Sequence, residues 1–196
     1  MSRVPASVRK RAKHHRRMRD STKEKILLVL ATGAVLGLSH SNNSWRVIGH
    51  AAKAWKDIER RELVRALKEF RHARMLSWEE HDDTSVTITL TERGKLRALR
   101  QRFDSMVIPM PKHWDGRWRF VLFDIPEKSR LKRNIFRNKL QELGFKKVQQ
   151  SLWVIPYPCK DEVDFIVEFL ELRHYVRFLE TITLSNDEDL RLHFKI

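Results

Sequence analysis

The feature that most constrains the fold is an apolar run that ends at a proline. Trp118–Ile125, reading WRFVLFDI, is rich in aromatic and aliphatic residues and stops at Pro126, a pattern typical of a buried β-strand. Lys128–Leu143 then carries apolar residues at helical spacing until Gly144, a common residue just after a helix. We therefore predict a strand and then a helix, with Asp124 interrupting the strand near its end.

The remainder of this half of the chain repeats the pattern of strand and helix. The predicted order is strand Arg117–Ile125, helix Ser129–Leu143, a hairpin over Phe145–Tyr157, helix Asp161–Leu172 and strand Tyr175–Leu184. This βαββαβ order is that of a ferredoxin-like fold. Leu190–Ile196 alternates apolar and polar residues, which predicts an extra C-terminal strand that either adds to its own sheet or crosses to a second subunit.

The first half of the chain predicts a fold built mainly on helices. Its predicted elements are helix Thr22–Leu38, loop Ser39–Ser44, helix Trp45–Trp55, helix Ile58–His72, strands Met75–Glu79 and Ser85–Thr91, and helix Lys95–Phe103. Helices followed by a hairpin and a closing helix form the order of a winged helix-turn-helix. The chain is thus predicted to be α+β, with an arm at 1–20, a winged helix at 21–104, a linker at 105–113 and a ferredoxin-like dimerisation domain at 114–196.

Charge is concentrated towards the N-terminus and indicates a polyanionic partner. The 196-residue chain has a formal net charge of +15, which favours nucleic acid because neutralised phosphates release condensed counterions. Residues 1–20 hold 8 basic residues and 1 acidic residue, whereas residues 114–196 hold 15 and 13. The first half is therefore the candidate for binding double-stranded DNA, and its basic arm is expected to be disordered in the free protein.

The segment from Leu63 to Leu99 resembles the recognition helix, wing and closing helix of bacterial regulators. The outer face of its helix carries basic residues at i, i+4, i+7 and i+11, namely Arg61, Arg65, Lys68 and His72. By that likeness, DNA is contacted by Arg60, Arg61, Arg65 and Lys68, and its phosphates by Lys53 and Lys56. The arm would add Arg9, Lys10, Arg11, Arg16 and Arg17. The alternative is a solvated helix face whose cations pair with Glu62 and Glu69.

The predicted wing departs from that likeness because it is acidic. Glu79, Glu80, Asp82 and Asp83 surround its loop, so we do not expect it to enter a minor groove, where the potential is negative. It would instead point away from DNA or hold the basic arm when DNA is absent.

The second half contains the run WDGRWRFVLFDIPEKSRLKRNIFRNKL, followed by GF and then by VQQSLWVIP. In these residues it resembles the central domain of the PaaX family of bacterial repressors. It implies a homodimeric transcriptional repressor that binds a pseudo-palindromic site through winged helices. PaaX proteins usually carry a further C-terminal domain that this sequence does not, so their small-molecule effector is not carried over. The same domain is similar to the small CRISPR adaptation subunit, which carries a motif like Val148, Gln149 and Ser151.

The alternative hypothesis, that the protein is an enzyme, rests on Asp124. The similarity to the CRISPR subunit implies a Mg²⁺ ion held between two Asp124 carboxylates across a dimer axis, and hence a metal-dependent nuclease. The other interpretation is that Asp124 simply turns the end of the strand. The sequence contains no phosphate-binding loop or nucleophile motif, so we favour a regulator that is not an enzyme and has no cofactor.

Two further features bear on the cellular location. The single cysteine, Cys159, fits a reducing compartment. The apolar run Ile26–Leu38 is too short to cross a bilayer as a helix, and although it resembles the core of a signal peptide, we assign it to the first helix. The expected location is the cytoplasm, at the nucleoid, with no membrane partner.

Overall fold

The computed structural model describes residues 22–31, 36–41, 44–48, 60–82 and 85–196. The chain divides into two compact units, Met1–Arg102 and Phe103–Ile196, each with its own hydrophobic core. Within the described ranges, no helix combines the length and the apolar content that crossing a membrane requires.

The first unit combines helices with a four-stranded antiparallel sheet. Residues 22–31 form helix α1. The elements that follow are β1 (Leu36–Ser41), β2 (Ser44–Ile48), α2 (Arg60–His72), β3 (Leu76–Glu80), β4 (Ser85–Leu90) and α3 (Glu92–Ser105). The strand order is β2-β1-β4-β3. The core packs Leu27 of α1 and Leu67 of α2 against Ile88 of β4.

The hairpin of β1 and β2 corrects two predicted helices. The first was expected to run through Leu38 and the second to begin at Trp45, but both residues lie in paired strands, in the register Leu38↔Val47 and His40↔Trp45. Of the predicted loop Ser39–Ser44, residues 39–41 lie in β1 and Ser44 in β2, and residues 42–43 lie outside the described residues. Residues 49–55 of the second predicted helix lie outside the described residues.

The strand order explains why these residues pair. β4 lies between β3 and β1, so β1 takes up the backbone hydrogen bonds along the edge of β4 that a lone two-stranded wing would leave open. Gly37 also disfavours a helix, and β-branched Val47 and Ile48 favour a strand. Strand β2 thus stands where the second helix was expected to begin, and the winged helix-turn-helix is not confirmed.

The predictions for the later elements of the first unit, from α2 to α3, are confirmed. α2 buries Leu63, Leu67 and Phe70 on its inner face, together with Ala66, as the helical spacing indicated. The predicted hairpin is formed by β3 and β4 in the register Leu76↔Leu90 to Glu80↔Val86. The closing helix α3 follows directly, starting a little earlier than predicted.

The second unit has the predicted ferredoxin-like order. Its elements are β5 (Trp118–Phe123), a 3-10 turn at Glu127–Ser129, α4 (Arg130–Glu142), β6 (Lys146–Gln149), β7 (Leu152–Ile155), α5 (Lys160–Phe169), β8 (Val176–Thr181) and α6 (Glu188–Phe194). The antiparallel sheet has the order β6-β7-β5-β8, which is that of a βαββαβ domain. One face of the sheet packs Val121 and Trp153 against Phe136 of α4 and Ile166 of α5.

The predicted C-terminal strand is wrong, because Glu188–Phe194 is the helix α6. Acidic side chains in its first turn, Glu188 and Asp189, favour the positive end of the helix dipole. Leu190 and Phe194 are one turn apart, and both pack on the second face of the sheet, whereas Leu192 is 79% exposed. The alternation in this short segment therefore satisfied a helical spacing of i, i+4 as well as a strand.

A buried arginine joins three parts of the second sheet. The Arg119 guanidinium of β5 donates to the Pro156 carbonyl at 2.6 Å, to Asp115 Oδ1 at 2.9 Å and to Glu180 Oε1 of β8 at 3.3 Å. Its hydrogen bond lowers the pKa of the Asp115 carboxyl below the usual range. These hydrogen bonds and the two carboxylates offset the cost of removing the Arg119 cation from water, as a buried charge requires.

The segment between α3 and β5, which includes most of the predicted linker, contains no helix or strand over residues 106–117. Met106 and Ile108 nevertheless pack against the core of the second unit. Nearby, the buried Lys139 ammonium donates to the Asp104 carbonyl at 3.3 Å and lies 5.0 Å from the centre of the Phe103 ring. The end of α3 is therefore held to α4 within this unit.

Candidate functional site

α2 presents a basic stripe to solvent. Arg61, Arg65 and Lys68 are all exposed, and they lie on one side of the helix at i, i+4 and i+7. His72 continues the stripe at the last turn and is also exposed. The helix is held from its other side by its buried apolar residues, so the stripe is displayed on a fixed element.

The acidic residues of α2 are engaged by helix α1 rather than by the stripe. Thr22 Oγ1 donates to the Glu62 carboxylate at 3.0 Å, and the Lys23 ammonium forms an ion pair with Glu69. No carboxylate within the described ranges forms an ion pair with Arg61, Arg65 or Lys68. Glu62 and Glu69 therefore contact α1, while a solvated helix face stays the alternative to DNA contact for the stripe.

The remaining predicted DNA contacts lie outside the described residues. These are the side chain of Arg60 and the residues Lys53, Lys56, Arg9, Lys10, Arg11, Arg16 and Arg17. They stay predictions. The contacts of Thr22 and Lys23 do fix the point at which the chain enters the described part of the first unit, which is beside α2.

The hairpin of β3 and β4 carries the expected acidic side chains at its tip. Glu79, Glu80 and Asp82 are exposed. In the middle of β3, the Trp78 ring has its centre 4.9 Å from the Arg71 guanidinium of α2, a distance typical of a cation–π contact. This contact ties the last turn of α2 to the hairpin.

The closing helix α3 carries basic residues that were not among the predicted DNA contacts. Arg93, Arg97 and Arg100 lie at i, i+4 and i+7 and are exposed. The same spacing rule that identified the stripe on α2 could have found them. We refer to Arg93, Arg97 and Arg100 as the α3 stripe.

Asp124 lies at the rim of a shallow depression at the end of β5. The depression has a volume of about 550 Å³ and is lined by Leu122, Asp124, Ser151, His174 and Arg177, among others. The Asp124 amide donates to the Tyr175 carbonyl at 2.9 Å, while its carboxylate side is exposed. The fold thus brings together Asp124 and Ser151, two residues that the sequence placed 27 positions apart.

The side chains that line this depression do not provide enough ligands for a metal ion within one chain. Asp124 is the one carboxylate in the lining, beside the cationic Arg177, whose guanidinium donates to the Val176 carbonyl at 3.0 Å. Within the described part of the chain, no group of three or more His, Cys, Asp or Glu residues could hold a metal ion. A Mg²⁺ site at Asp124 would need ligands from a second copy, as its prediction assumed.

Cys159 is buried at the start of α5. Burial raises the pKa of its thiol to about 12. Since the thiolate is the reactive form, Cys159 acts here as a small apolar core residue and not as a nucleophile.

The second face of the sheet in the second unit is only partly covered. Trp118, Phe120 and Val154 are buried beneath α6 and the residues next to it. Further along this face, Leu122 and Leu152 are half-buried, and Leu179 of β8 is 52% exposed. An open apolar surface thus begins where the cover of α6 ends.

Comparison with protein families gives a match to most of the second unit. Residues 111–192 match the model of the PaaX protein central Cas2-like domain. The second unit is similar to the PaaX central domain. The match spans the PaaX central domain from before β5 into α6 and includes Asp124, Ser151 and the open apolar surface. The predicted resemblance of the second unit to the PaaX central domain is thereby confirmed, and this similarity is consistent with a transcriptional regulator. No curated protein matches the chain.

Proposed function

We propose that this protein is a dimeric transcriptional regulator, acting as a repressor, that binds double-stranded DNA through α2. We place it in the cytoplasm, at the nucleoid. The match of the second unit to the PaaX central domain supports a regulator in general. The DNA contact, the dimer and the repression are the proposal.

The observation that carries the proposal is the basic stripe on α2. Arg61, Arg65 and Lys68 project from a helix whose opposite face is buried, and the neighbouring carboxylates are engaged by α1. A major groove admits one α-helix, and arginine can bind the edge of a guanine with two hydrogen bonds. The stripe therefore has the shape and chemistry to read base edges while its flanks contact phosphates.

The basic arm, residues 1–20, supports the same partner. It leads into Thr22 and Lys23, which contact Glu62 and Glu69 of α2, so the arm joins the unit beside the proposed DNA-binding helix. Its excess of positive charge would add phosphate contacts that raise affinity with little dependence on sequence. The acidic hairpin tip is not part of the proposed contact surface.

The proposed dimer uses the open apolar surface of the PaaX central domain. Leu122, Leu152 and Leu179 lie on one face of the sheet, in the pairs Leu122↔Leu152 and Phe120↔Leu179, and a second copy could cover them. An isologous contact of this kind relates two α2 helices by a two-fold axis. We expect a pseudo-palindromic site whose half-sites lie about 10 base pairs, or a multiple of that, apart.

The test is a selection of bound fragments from random duplex DNA with the full-length protein. A Mg²⁺ cleavage assay runs in parallel on the same duplexes. Enrichment of a two-fold-symmetric sequence without cleavage supports the proposal. Cleavage that Asp124→Ala abolishes while DNA affinity is retained would support the nuclease alternative, and no enrichment would contradict DNA recognition.

A further inference from the structure

We propose that the α3 stripe, Arg93, Arg97 and Arg100, is a second DNA contact that binds backbone phosphates of the duplex held by α2. This inference rests on the proposed DNA binding by α2 and extends it to the helix that closes the first unit. It assigns a role to residues outside the recognition helix and its hairpin.

The start of α3 is fixed to the end of α2. Thr91 Oγ1 donates to the Arg74 carbonyl at 2.9 Å and accepts from the Gly94 amide at 3.2 Å, and the Thr91 amide donates to the Met75 carbonyl at 3.0 Å. At Gly94 the packing is so close that an added Cβ would lie 2.2 Å from the Met75 carbonyl oxygen. The first turn of α3 therefore has one position relative to the turn after α2.

Arg97 lies beside the C-terminal half of α2. It lines a cavity of about 570 Å³ together with Glu69, Phe70 and Ala73 of this region, and with Lys23 and Glu24 of α1. Arg93 and Arg100 are one turn before and one turn after Arg97 on the same side of α3. The α3 stripe thus runs alongside the flank of the proposed recognition helix.

The charges of the α3 stripe are available for an external anion. Lys95 on the same helix pairs with Glu92 at 2.7 Å. By contrast, none of the carboxylates that the structure describes forms an ion pair with Arg93, Arg97 or Arg100. Three guanidinium groups at helical spacing with no such partner repel one another, and an anion of repeating charge relieves that repulsion.

The geometry favours phosphates over base edges as the ligands of this stripe. The major groove of duplex DNA is wide enough for one helix. A second helix beside α2 therefore meets the wall of the groove, which is the sugar–phosphate backbone. Arginine binds phosphate oxygens with two parallel hydrogen bonds, and such contacts add affinity without selecting a sequence.

The test compares the salt dependence of duplex binding in variants of the full-length protein. The variant Arg93→Gln/Arg97→Gln/Arg100→Gln removes the charges and keeps residues with good helix propensity. The matched control, Lys112→Gln/Lys128→Gln/Lys146→Gln, removes three exposed cations from the second unit that likewise have no ion pair within the described ranges. Both are measured by fluorescence anisotropy on the same duplex, over a salt range of roughly 50 to 200 mM.

We expect the slope of log K against log salt concentration to become shallower by about 0.9 for each phosphate that is no longer neutralised, hence by about 2 to 3 in the α3 variant. The control should keep the slope of the unmodified protein, and both should keep the sequence preference. If the triple variant does not fold, Arg97→Gln alone should make the slope shallower by about 0.9.

Equal slopes in the α3 variant and the control would overturn the inference while leaving DNA binding by α2 intact. Loss of sequence preference in the α3 variant would also overturn it, because the stripe would then bind bases. Absence of duplex binding by the unmodified protein would instead contradict the proposed function, and this inference with it.

Discussion

The indole Nε1 of Trp118 donates a hydrogen bond to the Asp187 carboxylate at 2.9 Å. Arg191 Nε donates to the other oxygen of the same carboxylate at 2.9 Å, and its guanidinium lies 4.7 Å from the centre of the Trp114 ring. Asp187 immediately precedes α6, the last helix of the chain, and thus joins this helix to β5, the first strand of the second unit. This link explains why the terminal segment folds back on its own sheet instead of extending as a strand.

The pH dependence of this link follows from its charges. The hydrogen bonds from Arg191 and then Trp118 hold the pKa of Asp187 below its usual value, which is about 3.9 for aspartate. The ionised carboxylate therefore stabilises the fold above that usual value, and the contribution is lost as the pH falls through the lowered pKa.

We expect the indole N–H resonance of Trp118 in a ¹H–¹⁵N NMR titration to shift with a midpoint below about pH 3.9. Asp187→Asn should remove that titration, and Asp189→Asn, an exposed neighbour on α6, should leave it unchanged. A Trp118 resonance that titrates identically in the Asp187 variant would contradict the link.

Replacing the buried Arg119 should destabilise the second unit. Arg119→Met leaves the Pro156 carbonyl and the partly exposed Asp115 and Glu180 carboxylates without their donor. Since both carboxylates can regain water, we expect a loss of about 1–3 kcal/mol in the free energy of unfolding, measured by urea denaturation. The neighbouring exposed Arg117→Met, which removes a 3.7 Å ion pair with Glu180, should cost less than about 1 kcal/mol. Equal losses in the two variants would contradict the role of Arg119.

Gly94→Ala tests the junction between α2 and α3. Helix propensity alone would make this change stabilising by about 1 kcal/mol, whereas the contact with the Met75 carbonyl oxygen makes overpacking the larger effect. We expect a net destabilisation of about 1–3 kcal/mol in urea denaturation. Leu96→Ala on the same helix, where the side chain is 64% exposed, should change stability by less than about 0.5 kcal/mol. A more stable Gly94 variant would show that the junction is loosely packed.

The second unit could be predicted from sequence to within a few residues at most element boundaries. Strands β5 and β7 are largely apolar runs, WRFVLF and LWVI, and helix α4 ends just before Gly144. In contrast, Leu36–Ser41 is a strand because β4 offers it a free edge, a tertiary effect that local propensity does not contain. The prediction of a strand at the C-terminus was wrong for another reason, because seven residues of alternating character also fit two turns of helix.

The candidate site was only partly accessible from sequence. The spacing of Arg61, Arg65 and Lys68 predicted one exposed helix face, and the structure presents them on it. That Glu62 and Glu69 are taken by Thr22 and Lys23 could not be read from the sequence, because it depends on how α1 packs against α2.

Removing residues 1–19 should weaken DNA binding without changing its sequence preference. These residues carry 8 basic side chains, and each phosphate contact they make contributes about 0.9 to the salt dependence. We expect lower affinity for every duplex tested and a shallower slope of log K against log salt concentration. An arm with the same composition in scrambled order should restore both, since the contact is one of charge. A truncated protein with unchanged salt dependence would exclude the arm from the interface.

The most direct test of DNA recognition by α2 is the affinity of the variant Arg61→Ala/Arg65→Ala for the duplex enriched by selection. Fluorescence anisotropy at fixed salt would compare it with the unmodified protein and with Lys128→Ala/Lys146→Ala, a control of equal charge change in the second unit. We predict that each base contact removed weakens binding by about 1–3 kcal/mol, with relaxed preference at the bases concerned, and that the control binds almost normally. Binding by the α2 variant that matches the control in both affinity and sequence preference would contradict the assignment of α2 as the DNA-binding helix.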